Sequence, residues 1–165
     1  MTHPFSFSAP LQLDSRALED CIGLDQRCLN GFWSTRQWQQ ELSEAGRLCL
    51  GSWADAGERR LVGLSSGWLV AGELQLMLLL VDPHWRRQGL GTRLLNALFN
   101  AAAEQGCEGV SLEVATSNGA ARSLYEKLGF TTSAKRRGYY RNGDDALLQY
   151  LDMCDFESRT DNRPD

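Results

Sequence analysis

The sequence predicts a mixed α/β (α+β) fold, with a mainly antiparallel central sheet flanked by about four helices. Three apolar stretches, 48–53, 61–70 and 74–81, are separated only by 54–60 (ADAGERR) and Ala71-Gly72, which suits an antiparallel meander. Residues 76–105 then run from an apolar strand through a glycine loop into a long helix-period segment. A further apolar stretch, 110–115, completes a strand–helix–strand crossover.

The chain has 165 residues, enough for one compact domain over 1–152, with 153–165 read as a polar, disordered tail. Net charge is -4, which argues against direct nucleic-acid binding by phosphate neutralisation. Cysteines at 21, 28, 49, 107 and 154 are odd in number and form no CxxC or Cys/His cluster, so neither a disulfide framework nor a metal site is expected. They read as reduced core residues of a cytoplasmic protein. The opening MTHPFSFSAP lacks the basic and apolar regions of a signal peptide, and the longest apolar run, 76–81, is far short of a membrane span.

Loose alternation of Phe5, Phe7, Leu11 and Leu13 gives a first strand ended near Pro10. Asp14 is a good N-cap for a helix with Leu18, Cys21, Ile22, Asp25 and Leu29 at helical spacing, stopped at Asn30-Gly31. Ser34 caps a second helix, with Trp38, Leu42 and Ala45 on one face and Gly46 as its stop. Between them, Phe32 and Trp33 either cover the core or line a substrate mouth. The strand from Leu76 onward is apolar at almost every position, as expected where helices cover both faces of a sheet. Leu90, Leu94, Leu95, Leu98, Phe99 and Ala102 make the buried stripe of the 89–105 helix, which Gly106 ends. Asn118 opens another helix, carrying Leu124 and Leu128 with Ala121 and Tyr125 beside them, and Gly129-Phe130 closes it. The basic-aromatic segment 135–141 and a final strand near 146–151 complete the pattern.

The stretch 81–95, VDPHWRRQGLGTRLL, has the layout of an anion cradle. Gly89 and Gly91 let the backbone approach a ligand, the first-turn N–H groups of a helix lack intrahelical acceptors, and Arg86 and Arg87 add full charges. A lone GxG reads first as a plain strand-to-helix turn. Neither phosphate fingerprint is met: Walker A needs four residues between its glycines and then Lys-Ser/Thr, and the dinucleotide loop needs a third glycine where position 94 is Leu.

Glu113 alternates with Leu112 and Val114, so it leaves its strand opposite two apolar neighbours. A carboxylate there is either at an exposed edge, salt-bridged, or chemically employed. Tyr125 is either a packed helix residue or a proton donor. His3 and His84, the only histidines, have no triad or metal partner at a recognisable spacing and read as surface residues.

The element order, the RRQGLGT loop, LEVATSN at 112–118 and SLYEKLGF at 123–130 resemble the acetyl-coenzyme-A-dependent GNAT acetyltransferases over roughly residues 5–152. Phe32-Trp33-Ser34, LLLVDPHWRRQGLGTRLL and RRGYY at 136–140 before Asp144-Asp145 are most similar to the RimI-type ribosomal protein alanine N-acetyltransferases. The chain differs from these in having Phe32 where Pro is usual, Thr92 where a basic residue is common, and Gly138 where Asn precedes the paired tyrosines.

The resemblance implies a GNAT fold whose sheet is splayed at its middle, with acetyl-CoA as co-substrate. It assigns the diphosphate to the backbone of Gln88, Gly89, Leu90, Gly91 and Thr92, with Arg86 or Arg87 beside it. It assigns the pantetheine arm to the main chain of Leu79, Leu80 and Val81, with Asn118 as a hydrogen-bond partner as well as a helix cap. Glu113 takes the role of general base and Tyr125 that of proton donor to the departing thiolate, while Phe32, Trp33, Tyr139 and Tyr140 grip an extended peptide N-terminus. The implied partner is a peptide or protein N-terminus, that of a ribosomal protein, modified at its alanine by direct attack in a ternary complex. Two other readings stand beside it. One is a GNAT enzyme acting on another amine, such as a protein lysine, a polyamine or an antibiotic. The other is a non-catalytic acyl-CoA-binding domain.

Overall fold

The computed structural model describes residues 6–55 and 57–161, so His3 and Phe5 lie outside the described residues. The chain folds as two compact units, one comprising the residues up to Trp68 with Met77–Ala102, the other Leu69–Leu76 with the residues from Ala103 on.

In the first unit, β1 is only Leu11–Gln12, after Pro10 rather than before it. Phe7 contributes a single bridge to Ala54. Pro10 has no N–H to give a ladder, so regular pairing begins beyond it. Asp14 accepts from the Arg16 N–H at 2.9 Å and starts a 3-10 turn, Ser15–Ala17, from which α1 (Leu18–Leu29) continues. Left-handed Asn30 (φ 55°) ends it, as the Asn-Gly pair predicts. A capping box opens α2 (Thr35–Ser43): Ser34 Oγ accepts from Gln37 N–H at 3.2 Å, and Gln37 Oε1 accepts from Ser34 N–H at 2.8 Å. The helix stops at Ser43, so Ala45 falls outside it, because Glu44 is already extended (ψ 140°).

β2 (Arg47–Asp55) pairs antiparallel with β3 (Arg59–Val70), with a bulge where the register shifts between Ser52 and Trp53. β4 (Glu73–Val81) is the next neighbour, and α3 (Leu90–Glu104) follows a 3-10 turn at Pro83–Trp85. Both faces of the end of β4 are packed. Leu78 and Leu80 join Cys21, Leu24, Trp38 and Leu42 from α1 and α2, whereas Leu79 and Val81 join Leu90 and Leu94 from α3. The expected α3 stripe is wholly buried. Gly63 sets its approach, because a Cβ there would stand 2.8 Å from Leu94 Cδ1.

In the second unit, Ala71 (φ 51°) and Gly72 (φ 80°) form the left-handed two-residue turn into β4. β5 (Gly109–Ala115) pairs parallel with β4 only from Glu73↔Gly109 to Gln75↔Ser111, though β4 runs on to Val81 and β5 to Ala115. Beyond that point β5 keeps its antiparallel partner β7 (Ala146–Asp152), which also pairs with β6 (Thr131–Arg136). The sheet order is β1-β2-β3-β4-β5-β7-β6, mixed and not closed. Asn118 caps α4 (Gly119–Leu128) by accepting from Ala121 N–H at 3.2 Å. Gly129 (φ 100°) ends it, with Phe130 N–H reaching back to the Tyr125 carbonyl at 3.0 Å.

The largest departure from expectation is at the C-terminus, where the supposed polar tail forms a fifth helix, α5 (Met153–Asp161). Its two apolar residues, Met153 and Phe156, are three apart, fall on one helical face and are both buried. Asp152 Oδ1 accepts from Cys154 N–H at 2.8 Å as the helix begins.

Candidate active site

The loop between β4 and α3 is anchored by Asp82, a buried carboxylate. It accepts from His84 N–H at 3.0 Å and from Arg27 Nε at 2.8 Å, while Arg27 also donates to the Leu61 carbonyl at 2.7 Å. Burial works to raise the Asp82 carboxyl, and the His84 N–H, Arg27 and the His84 ring outweigh it, holding the group below the usual carboxylate range. From this anchor the chain passes through exposed Arg86, Arg87 (φ 60°), Gln88 and Gly89 (φ 78°) into α3. The helix's first bond is Arg93 N–H to the Gly89 carbonyl at 3.2 Å, so the N–H groups of Leu90, Gly91 and Thr92 precede the helical ladder. They form an electropositive helix mouth.

Asp82 N–H donates to the Val62 carbonyl of β3 at 2.8 Å. In a trans peptide the Val81 carbonyl therefore points away from β3, where Arg86 Nε reaches it at 3.1 Å. By strand alternation Leu79 presents its polar backbone groups to that same edge. Leu80 does not. Its carbonyl is turned to β3, 3.3 Å from where a Gly63 Cβ would stand, so of the three expected main-chain partners only Leu79 and Val81 line the free edge.

Phe32 and Trp33 lie in the connection between α1 and α2. Phe32 is 63% exposed, while Trp33 stands edge-on to buried Trp38, with ring centroids 4.9 Å apart. Trp33 thus combines the lid role with its place beside Phe32.

The second unit brings together Glu113, Tyr125, Tyr139 and Tyr140. Leu112 and Val114 are buried and Glu113 between them is exposed, as the alternation predicts. The Tyr139 phenol lies beside Glu113, whose carboxylate raises the Tyr139 pKa. Burial raises Tyr140 as well, assisted by the Glu113 charge. Tyr125 is buried against Phe130, and its phenol is pushed up to about 12 by burial and then by Tyr140. The 137–145 loop is fixed from below by Asp145, which accepts from Gly138 N–H at 2.8 Å and pairs with Lys135 at 3.2 Å. Asp144 closes the same loop against Ser117. Asn118 serves as the α4 cap, one of its two expected roles.

Sequence reasoning missed Arg136 and Asp25. Arg136 Nη1 stands 3.8 Å from Glu113 Oε1, and its guanidinium lies 5.5 Å from the Tyr139 ring centroid. The strand pairing that brings β6 round to Glu113 leaves no local trace in the sequence. Asp25 was legible only as a polar residue on the buried face of α1. A cavity of about 610 Å³ adjoins the loop on its β2–β3 side, lined by Arg60, Val62, Asp82, His84, Trp85 and Gln88 among others. Gln88 is the one residue it shares with the loop segment 88–92, and Gly89 to Thr92 are not in its walls.

These features sit on a chain that belongs to the GNAT acetyltransferase family, whose model matches residues 18–130. Acetyltransferases of this family use acetyl-CoA. The ribosomal protein bS18-alanine N-acetyltransferase of Escherichia coli K12 is 42% identical over 86 residues, 50% of this chain and 58% of that protein. The chain thus spans well under two thirds of the curated relative it matches. In three dimensions the Escherichia coli ribosomal-protein-S18-alanine N-acetyltransferase superposes with a TM-score of 0.79 at 29% identity, over 89% of this chain and 94% of that one. Arabidopsis thaliana NAA60, solved with acetyl-CoA, shares the fold, with a TM-score of 0.80 at 16% identity over 90% and 99% of the two chains.

Proposed function

We propose that the chain transfers the acetyl group of acetyl-CoA to the N-terminal α-amine of an alanine-initiated peptide, that of a small-subunit ribosomal protein, in the cytoplasm. The observation that carries this is Glu113, an exposed carboxylate on the stretch of β5 beyond its pairing with β4, with the Tyr139 phenol beside it. Glu113 takes a proton from the substrate ammonium, directly or through water. An α-amine has a reference pKa near ~8 against ~10.4 for lysine, so a carboxylate deprotonates it more readily. The freed amine attacks the thioester carbonyl, the N–C bond forms and the C–S bond breaks. Tyr125, a phenol that burial raises to about 12, supplies the proton to the departing sulfur, and the proton that the acylated nitrogen then loses returns to the phenol and restores it.

The N–H groups of Gln88, Gly89, Leu90, Gly91 and Thr92 hold the diphosphate, with Arg86 and Arg87 beside them. The free backbone edge at Leu79 and Val81 pairs with the pantetheine amides as a strand would. Asn118 adds a side-chain partner to that arm. Phe32, Trp33, Tyr139 and Tyr140 receive the acceptor peptide. The similarity to the bS18-alanine enzyme supports the choice of acceptor. The test is acetylation of peptides differing in their first residue, with fragmentation to locate the added group. Modification of the alanine α-amine is expected. Preferential modification of lysine side chains or polyamines overturns the acceptor, and coenzyme binding without transfer to any amine overturns the enzymatic reading.

A further inference from the structure

Asp25 is 1% exposed on α1, and no role given above uses it. A carboxylate buried to this degree is unfavourable unless donors surround it. Its three donors all come from beyond α1. Oδ1 accepts from Phe32 N–H at 2.9 Å, and Oδ2 accepts from Trp33 N–H at 3.0 Å and the Trp38 indole N–H at 2.9 Å. The connection they hold begins with two left-handed residues, Asn30 (φ 55°) and Gly31 (φ 82°), and belongs to neither a helix nor a strand. One buried anion therefore takes up the backbone of both aromatic residues. The consequence is unusual: Phe32, a large apolar ring, is 63% exposed on a backbone fastened from beneath.

We infer that Asp25 is a positioning residue for acceptor recognition, its carboxylate fixing the Phe32 backbone so that the exposed ring meets the peptide next to the amine being acetylated. This rests on the reading of Phe32 and Trp33 as acceptor contacts and adds the group that sets their geometry. A ring fixed in advance loses little freedom when the peptide arrives, so the contribution falls on acceptor affinity.

Asp25→Asn is the discriminating change. Its remaining oxygen can serve the Trp33 and Trp38 donors, while its NH2 faces the Phe32 N–H, donor against donor, and releases that residue. With alanine-initiated peptides, KM for the peptide is expected to rise by about tenfold, the loss of one hydrogen bond to a charged group. KM for acetyl-CoA should stay within about twofold, a split that general loosening of the fold would not give. Phe32→Ala, at an exposed position, should raise the peptide KM similarly, and the Asp25→Asn/Phe32→Ala double variant should be no worse than Phe32→Ala alone. If Phe32→Ala leaves the peptide KM unchanged, the acceptor reading of the loop fails and the inference with it. If Phe32→Ala acts but Asp25→Asn adds to it, or raises both KM values together, the role assigned to Asp25 alone is overturned.

Discussion

Tyr125 and Glu113, the proposed proton donor and base, face opposite electrostatic demands. Tyr125 is buried, which raises its phenol to about 12 and leaves its O–H as the group it can offer to a departing thiolate. Glu113 stays exposed on β5, open to a substrate amine or to water. Tyr125→Phe is therefore expected to lower kcat by roughly 10²–10⁴ while leaving acetyl-CoA affinity by calorimetry nearly unchanged. Equal losses in turnover and affinity would refute this division. The same phenol gives a signed pH effect. Its folded pKa lies above the unfolded value near ~10, so its contribution to stability is complete below pH ~10 and is lost as pH rises through about 12. Alkaline unfolding of Tyr125→Phe should lack that portion of the loss, which denaturant titrations on either side of pH 10 would measure.

At the level of elements, the β4–α3 segment shows how local chemistry fixes the surface proposed to hold the diphosphate. The α3 stripe buries on the sheet, Gly63 admits it closely, and Asp82 with Arg27 ties down the approach, so the first-turn N–H groups are held in place. Gly91→Glu separates this surface from the fold beneath it. A carboxylate in the first turn interacts favourably with the helix dipole, so thermal stability should change little. The same charge and bulk stand where a diphosphate is to be held, so acetyl-CoA binding should be abolished in calorimetry. A variant that melts early would mean that the glycine serves folding, and one that still binds would move the diphosphate elsewhere. This segment was also the most legible in the sequence, because strand, glycines and apolar stripe are consecutive and each has its own local signature. The choice between Leu79, Leu80 and Val81 was not legible, since it depends on which peptide faces β3, and the three side chains are interchangeable hydrophobes.

Across the whole molecule, what could be read from the chain follows sequence distance. The meander, the crossover and the helix stops at Asn30, Gly106 and Gly129 are written in neighbouring residues and stand where expected. The insertion of β7 between β5 and β6, which brings Arg136 and Tyr139 to Glu113, is a long-range pairing with no local mark. The C-terminal helix was missed for a related reason: in the polar stretch of 153–161 only Met153 and Phe156 are apolar and buried, and two such residues make no visible period. α5 nevertheless belongs to the folded structure. Arg159 lies across Gly129, where a Cβ would meet its guanidinium carbon at 2.8 Å, and donates to the Lys127 carbonyl at 3.3 Å, one of the terminal acceptors of α4. α5 thus closes the C-terminal end of the helix that carries Tyr125. Phe156→Ala should lower the unfolding free energy by about 3–5 kcal/mol, the usual effect of emptying a buried aromatic site. Arg159→Ala should cost about 1 kcal/mol through the lost carbonyl partner. A frayed tail would leave both variants unfolding at the denaturant midpoint of the parent, and that result would remove α5 from the folded core.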